Sequence, residues 1–230
     1  MPAYRSPAEG EIRDAVVARL REIRPQARII HEIACAVYGP NRIDLIAVSP
    51  AEIIAVEVKS AKDKLDRLPA QVASMLRMSH HTIAAIHEKF LVEQKTNEWS
   101  AHYERDGVLY VRREPDQCQG AVTWVFPERW RAIKPKVSGG YDSTASWRQP
   151  RLALQEALPS GALNMLWADE LRDLCHGLHI SVGKRTPRDE CLRALRWHAT
   201  GQEITKAICR TLRQRPCTEA DDPIEEAVAA

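Results

Sequence analysis

The sequence contains no apolar run approaching the roughly 18 residues of a membrane span. Its opening stretch, MPAYRSPAEGE, lacks the apolar core of a signal peptide. Together these absences predict a cytoplasmic protein with no membrane partner. Six cysteines are present (Cys35, Cys118, Cys175, Cys191, Cys209 and Cys217), but none forms a C-x-x-C pair. Structural zinc usually shows close ligand pairs, so this pattern argues against it, and a reducing cytosol argues against disulfides. No internal repeat is visible. A large charge imbalance is also missing, since the net charge is only +2.

The 230 residues are enough for one large domain, or for a medium domain with a small module. Apolar residues make up 44% and charged residues 28%, as in an ordinary soluble globular chain. The charge is unevenly placed. Residues 148–215 carry 12 basic against 7 acidic side chains, and residues 216–230 carry 5 acidic and no basic ones. A basic module followed by an acidic tail suits a partner with a phosphate backbone; an ordinary solvated surface is the other reading.

The N-terminal half reads as alternating helices and strands. Ser6-Pro7-Ala8-Glu9 has the residues of a helix start, with Ile12, Val16, Leu20 and Ile23 as its apolar stripe and Pro25 as its stop. Residues 27–37 read as a strand, and Tyr38-Gly39-Pro40-Asn41 as a turn. Arg42 to Lys59 then forms two strands around Ser49-Pro50-Ala51-Glu52. A helix from Pro69 to about Ser79 would turn Val72, Met75 and Leu76 inward. His81–His87 reads as a strand, 88–104 as a helix, 108–112 and 121–126 as short strands, and Trp130 and Ile133 as part of a short helix. The order αβββαβαββ predicts an α/β fold with a mixed sheet flanked by helices.

Pro135, Gly139-Gly140, Pro150, Pro159 and Gly161 interrupt any periodicity, so 134–161 reads as a linker, with a short helix at 152–158. Residues 162–215 read as a small all-helical module. One helix carries Leu163, Leu166, Leu171 and Leu174, a second starts at Thr186-Pro187-Arg188-Asp189, and a third runs over 203–214. Residues 216–230 read as a disordered acidic tail. The expected division is therefore 1–133, 134–161, 162–215 and 216–230.

The chemistry centres on RIDLIAVSPAEIIAVEVK, residues 42–59. With Ser49–Glu52 as a four-residue loop, Val48 pairs with Ile53, and the antiparallel register sets Asp44 opposite Glu57. Their Cβ atoms would then lie about 4.5–5.5 Å apart. Lys59 shares their face because side chains alternate with period two. Two carboxylates this close repel, and a divalent cation resolves the repulsion. Mg²⁺ takes oxygen ligands and keeps sites open for water and phosphate. Asp44, Glu57 and the Val58 carbonyl are the candidate ligands, with Mn²⁺ as a substitute ion. Lys59 is placed to orient or deprotonate a water, or to stabilise the transition state. The bland alternative is a charged hairpin face. Against it, Glu57 and Lys59 interrupt an apolar run where a buried strand prefers apolar residues.

The pattern Ile43-Asp44, twelve residues, Glu57-Val58-Lys59 resembles the PD-(D/E)xK nuclease superfamily. Small resolvases of Holliday junctions and phage or repair nucleases look similar over about residues 5–90. The resemblance implies a restriction-endonuclease-like fold. It also implies a helical glutamate as a further metal ligand, matched by Glu9 or alternatively Glu11, and a glutamine after the lysine strand, matched by Gln71. Met75 stands where many members have tyrosine, and Ile43 where the superfamily's name has proline. Between Lys59 and Gln71, Arg67 is the candidate phosphate contact in a charged loop that otherwise reads as solvated. Leu171, Arg172, Leu174, Gly177, Leu178, Gly183 and Lys184 resemble a SAP-type DNA-binding module, which implies phosphate contacts from Lys184, Arg185 and Arg188.

The resulting expectation is a Mg²⁺-dependent endonuclease acting on DNA, whether branched, damaged or single-stranded, in repair, recombination or phage DNA processing. Resolvases of this kind are symmetric dimers, so the resemblance implies a homodimer. Two other readings stay open: a catalytically inactive DNA-binding or recruitment protein on the same scaffold, and a nuclease directed at RNA.

Overall fold

The computed structural model describes residues 5–34, 42–129, 131–132, 141–142 and 146–224. The first helix, α1 (Pro7–Ile23), begins where the capping residues place it. The Ser6 hydroxyl accepts from the Glu9 N–H, and Pro7 opens the helix. Ile12, Val16 and Leu20 form its buried stripe. Four strands and a helix follow: β1 (Arg28–Ala34), β2 (Arg42–Val48), β3 (Ile53–Lys59), α2 (Leu68–Leu76) and β4 (His81–His87). With β8 (Val122–Phe126) they build a five-stranded mixed sheet in the order β1-β2-β3-β4-β8. The β1/β2 and β2/β3 pairs are antiparallel, and β3/β4 and β4/β8 are parallel. The fold is therefore mixed α/β, as expected.

β3 is central and buried on both faces along its whole length. Ile54, Val56 and Val58 pack under α1 with Leu45, Ala47, Ile83, Ala85, Trp124 and Trp147. Ile53 and Ala55 face the other layer with Ile46, Val48, Ala84, Ile86 and the α2 residues Leu68, Val72 and Met75. That second layer continues into the C-terminal helices α3 (Ala168–Gly177), α4 (Arg188–His198) and α5 (Gly201–Gln214), which contribute Leu171, Leu174, Leu192, Leu195, Ile208 and Leu212 to the same core. A helical C-terminal region is thus present, but its apolar stripes are spent on the sheet layer as well as on one another.

Several sequence expectations give way here. Residues 88–104 do not form a helix. After a short 3₁₀ turn, β5 (Val92–Lys95), β6 (Tyr103–Arg105) and β7 (Val108–Arg113) form a separate sheet in the order β5-β7-β6. The deciding signal is Asp106-Gly107, both at positive φ (53° and 74°), which closes a tight β6–β7 hairpin. The spacing of Leu91, Lys95, Trp99 and His102 imitated a helix without a continuous apolar stripe; Trp99 is exposed. Leu76 also points outward, 45% exposed, because α2 ends there. Arg131–Ala132 and Tyr141–Asp142 pair as two-residue strands β9 and β10. Trp130 and Ile133, expected on a short helix, lie outside the described residues.

The described part of the expected linker, 146–161, contains no α-helix at 152–158 and packs onto the core. Trp147 stacks on Trp124 with ring centroids 4.9 Å apart, and their indole N–H groups donate to the carbonyls of Val125 and Arg148. Proline and glycine broke the periodicity, but two tryptophans and Ala153 supply the burial. The start of the tail is ordered too: Ala220 bridges to Ile30, and Asp221 bonds the Ile29 main chain. Residues 225–230 lie outside the described residues. Among the described residues no helix is long and apolar enough to cross a membrane.

Candidate active site

The β2–β3 register is the one that the four-residue loop demands. Val48 pairs with Ile53 and Leu45 with Val56, and the Ser49 N–H donates to the Glu52 carbonyl across the loop. One step beyond Leu45–Val56 the ladder opens. There the Val58 N–H donates to Asp44 Oδ2 at 2.8 Å. Asp44 and Glu57 therefore stand across from each other at the open end of the hairpin. A cleft of about 390 Å³ forms at this end, lined by Glu9, Glu32, Arg42, Asp44, Glu57, Val58, Lys59, Asp63, Arg67 and Gln71. The structure thus brings together Glu9, Asp44, Glu57, Val58, Lys59, Arg67 and Gln71. Glu11 is exposed on α1 and does not line the cleft.

Glu57 is 2% exposed. Its Oε1 takes the Lys59 ammonium at 2.5 Å and a hydrogen bond from the Gln71 amide. Its Oε2 is buried without a hydrogen-bond partner among the described residues. Burial, and then the neighbouring Asp44 charge, push the Glu57 carboxyl up to about 8, against the pull of Lys59. Burial also raises Asp44, outweighing the Arg13 guanidinium, the Val58 N–H and Lys59. Such a site is short of positive charge for its carboxylates, and a buried acid with one bare oxygen is a fitting ligand for a hard cation.

The cation need is partly met from α1. Arg13 is 3% exposed and donates to Glu9 at 2.9 Å, Glu32 at 2.8 Å and the Asp44 carbonyl at 2.7 Å, with Asp44 Oδ1 at 3.0 Å. Glu9 therefore faces Arg13. Among the described residues no three acidic, histidine or cysteine side chains converge closely enough to hold a metal ion by themselves. The fit for Mg²⁺ rests instead on Asp44, the bare oxygen of Glu57 and the Val58 main chain, a set matching the one or two carboxylates Mg²⁺ usually takes.

Sequence reasoning missed Arg13, Glu32, Arg42 and Asp63. Glu32 sits in mid-strand with φ +59°, a left-handed conformation costing a non-glycine residue about 1–3 kcal/mol. It also holds Arg42 at 2.6 Å. Its signal was available: a carboxylate interrupting an apolar strand is the feature that singled out Glu57. Arg13 stood one helical turn after Glu9. Asp63 closes the loop after β3, accepting from the Ser60 N–H at 2.7 Å and its hydroxyl at 2.6 Å.

Other candidates lie elsewhere. Lys184 and Arg185 are exposed on the turn before α4, and neither lines the cleft. Arg188 is half-buried and donates to Asn164 Oδ1 at 2.9 Å. The α4 surface adds exposed Arg193, Arg196 and Trp197. His80 accepts from the Ile53 N–H, and His81 lies 3.3 Å from Glu52, so these two histidines brace strand ends.

The protein family described as Bacteriophage P4 protein cII matches residues 4–97, a stretch that contains every residue lining the cleft. No curated protein and no solved structure matches the chain.

Proposed function

We propose that the chain is a metal-dependent DNA endonuclease of the PD-(D/E)xK type, acting in the cytoplasm on DNA in repair, recombination or phage DNA processing. The observation that carries this reading is the buried, half-satisfied Glu57 opposite Asp44 and 2.5 Å from Lys59 in a polar cleft. Asp44, Glu57 and the Val58 carbonyl would hold Mg²⁺ or Mn²⁺. When bound, that ion supplies a more acidic water and offsets charge on the phosphate. Lys59, held by Glu57, is the candidate for placing a proton donor at the reacting oxygen. Gln71 fixes the Glu57 carboxyl from α2. Arg67 at the cleft mouth is suited to a phosphate oxygen, and Lys184, Arg185 and Arg188 to the flanking backbone.

A second reading has its own support. Arg13, Lys59 and Gln71 already engage one carboxylate oxygen each of Glu9, Glu32, Asp44 and Glu57, which suits a non-catalytic DNA-binding protein on this scaffold. One assay separates the readings: wild type and Lys59→Ala with Mg²⁺ or Mn²⁺ on branched, single-stranded and duplex DNA, and on RNA. The nuclease reading expects metal-dependent cutting by the wild type, reduced 10²- to 10⁴-fold in the variant. Equal cutting by both proteins removes this site. Binding without cutting by either supports the recruitment reading, and cutting of RNA alone changes the substrate.

A further inference from the structure

We propose that Arg13 is the positioning residue of this site and that strained Glu32 is the anchor that aims it at Asp44. The inference rests on the nuclease reading and deepens it.

Four facts lead to it. First, the β1–β2 ladder pairs His31 with Leu45 and Ile33 with Ile43, but omits the pair between them, Glu32 and Asp44. Second, Glu32 is the strand residue with positive φ, so the backbone turns out of its ladder at that step. The apolar alternation slips with it: Ile30 and Ile33 lie on the same side of the sheet, as do Ile43 and Ile46. Third, the carbonyl that Asp44 withholds from the ladder is taken by Arg13 Nη1 at 2.7 Å. Fourth, Arg13 Nη2 spans Glu32 Oε1 at 2.8 Å and Asp44 Oδ1 at 3.0 Å, while Nε holds Glu9 at 2.9 Å.

One buried guanidinium therefore fixes both the main chain and the carboxylate of Asp44. Asp44 Oδ2 is fixed separately by the Val58 N–H. With both oxygens assigned, Asp44 has one orientation toward Glu57. Rigid planar forks do this, and a lysine ammonium, a single compact head, does not. Glu32 shares Nη2 with Asp44, so the distorted strand is what sets the direction of the fork. Glu9 then acts through Arg13, as a further support of the same fork. Partners that orient metal-binding carboxylates typically contribute 10- to 100-fold to metal affinity or activity.

The test uses the full chain and two readouts: Mn²⁺ binding by titration calorimetry without DNA, and cleavage kinetics. Arg13→Gln and Glu32→Gly are expected to weaken Mn²⁺ binding and lower kcat by 10- to 100-fold, with KM for DNA within about twofold. Arg13→Lys is expected to stay impaired. Glu32→Gly suits its backbone conformation, so it decides the matter if Arg13→Gln does not fold. Full recovery by Arg13→Lys would show that charge alone suffices and would overturn the positioning role. So would a rise in KM at unchanged kcat, or variants matching an active wild type. A wild type that neither binds Mn²⁺ nor cuts overturns the nuclease reading, and this proposal with it.

Discussion

Replacing Glu52 with glutamine should flatten the acid limb of this protein's stability curve. Glu52 ends the hairpin loop that sets the register of Asp44 against Glu57, and it is 1% exposed. Its carboxylate takes the Arg24 guanidinium, the Ala153 N–H at 3.1 Å and His81 Nε2 at 3.3 Å. Burial alone would raise its pKa, but the His81 and Arg24 contacts and the Ala153 N–H together hold it at about 2, below the usual 4.5. An acid depressed in the folded state contributes stability above its unfolded pKa and loses it as pH falls toward the folded value. The window is therefore pH 4.5 down to about 2. The shift is worth on the order of 3 kcal/mol at neutral pH. That fraction is large against the 5–15 kcal/mol typical of a folded protein. Urea unfolding at pH 7, 4.5, 3.5 and 2.5 should show wild type losing stability faster than Glu52→Gln below pH 4.5. Arg24→Met, which strands a buried carboxylate, should lose about 3–5 kcal/mol at pH 7. Parallel acid limbs for wild type and Glu52→Gln would refute the reasoning.

Truncation after Lys134 removes α3–α5, which share a core with Ile30, Ile46 and Val48. At about 1.5–3 kcal/mol for each large apolar side chain uncovered, the truncated chain should lack a cooperative thermal transition. The basic α3–α4 turn is better tested in place. Lys184→Glu with Arg185→Glu should leave Tm within a few degrees and lower the salt slope of DNA binding by about one for each phosphate no longer neutralised, measured by anisotropy. Gly107→Val forces a β-branched residue to φ +74° and should lower thermal stability by about 1 kcal/mol or more, read by circular dichroism.

The hairpin and its cleft were legible because they depend on short-range counting. Loop length fixes the register, period two fixes the face, and one helical turn brings Gln71 over Glu57. What was illegible came from distant pairing. Arg13 acquires its role only when β1 and β2 lie beside α1, and within its own helix it shows only a pairing with Glu9 one turn earlier, which a surface arginine makes equally well. Residues 146–158 carry the prolines of a linker, yet Trp147 finds a flat partner in Trp124, 23 positions earlier in the chain. The 88–104 segment failed for a local reason: Asp106-Gly107 specified a hairpin that helical spacing had outvoted.

The same distant pairing joins the C-terminal segment to the cleft. Arg28 on β1 is buried and donates to the carbonyls of Leu212, Arg213 and Arg215 at the end of α5. This satisfies acceptors that a helix end otherwise leaves open. Just beyond, Glu219 accepts from the His31 N–H through its carbonyl and pairs with Arg5 through its carboxylate. Arg5 also reaches Glu32 at 3.6 Å. The outer edge of β1 is thus covered up to the residue before Glu32, where the strand leaves its ladder. An edge strand without this cover could twist to relieve the strained residue, and Glu32 would then lose its aim at Arg13. Glu219 and Asp221, which read in the sequence as part of a disordered tail, are in this structure a brace for the strand that shapes the cleft.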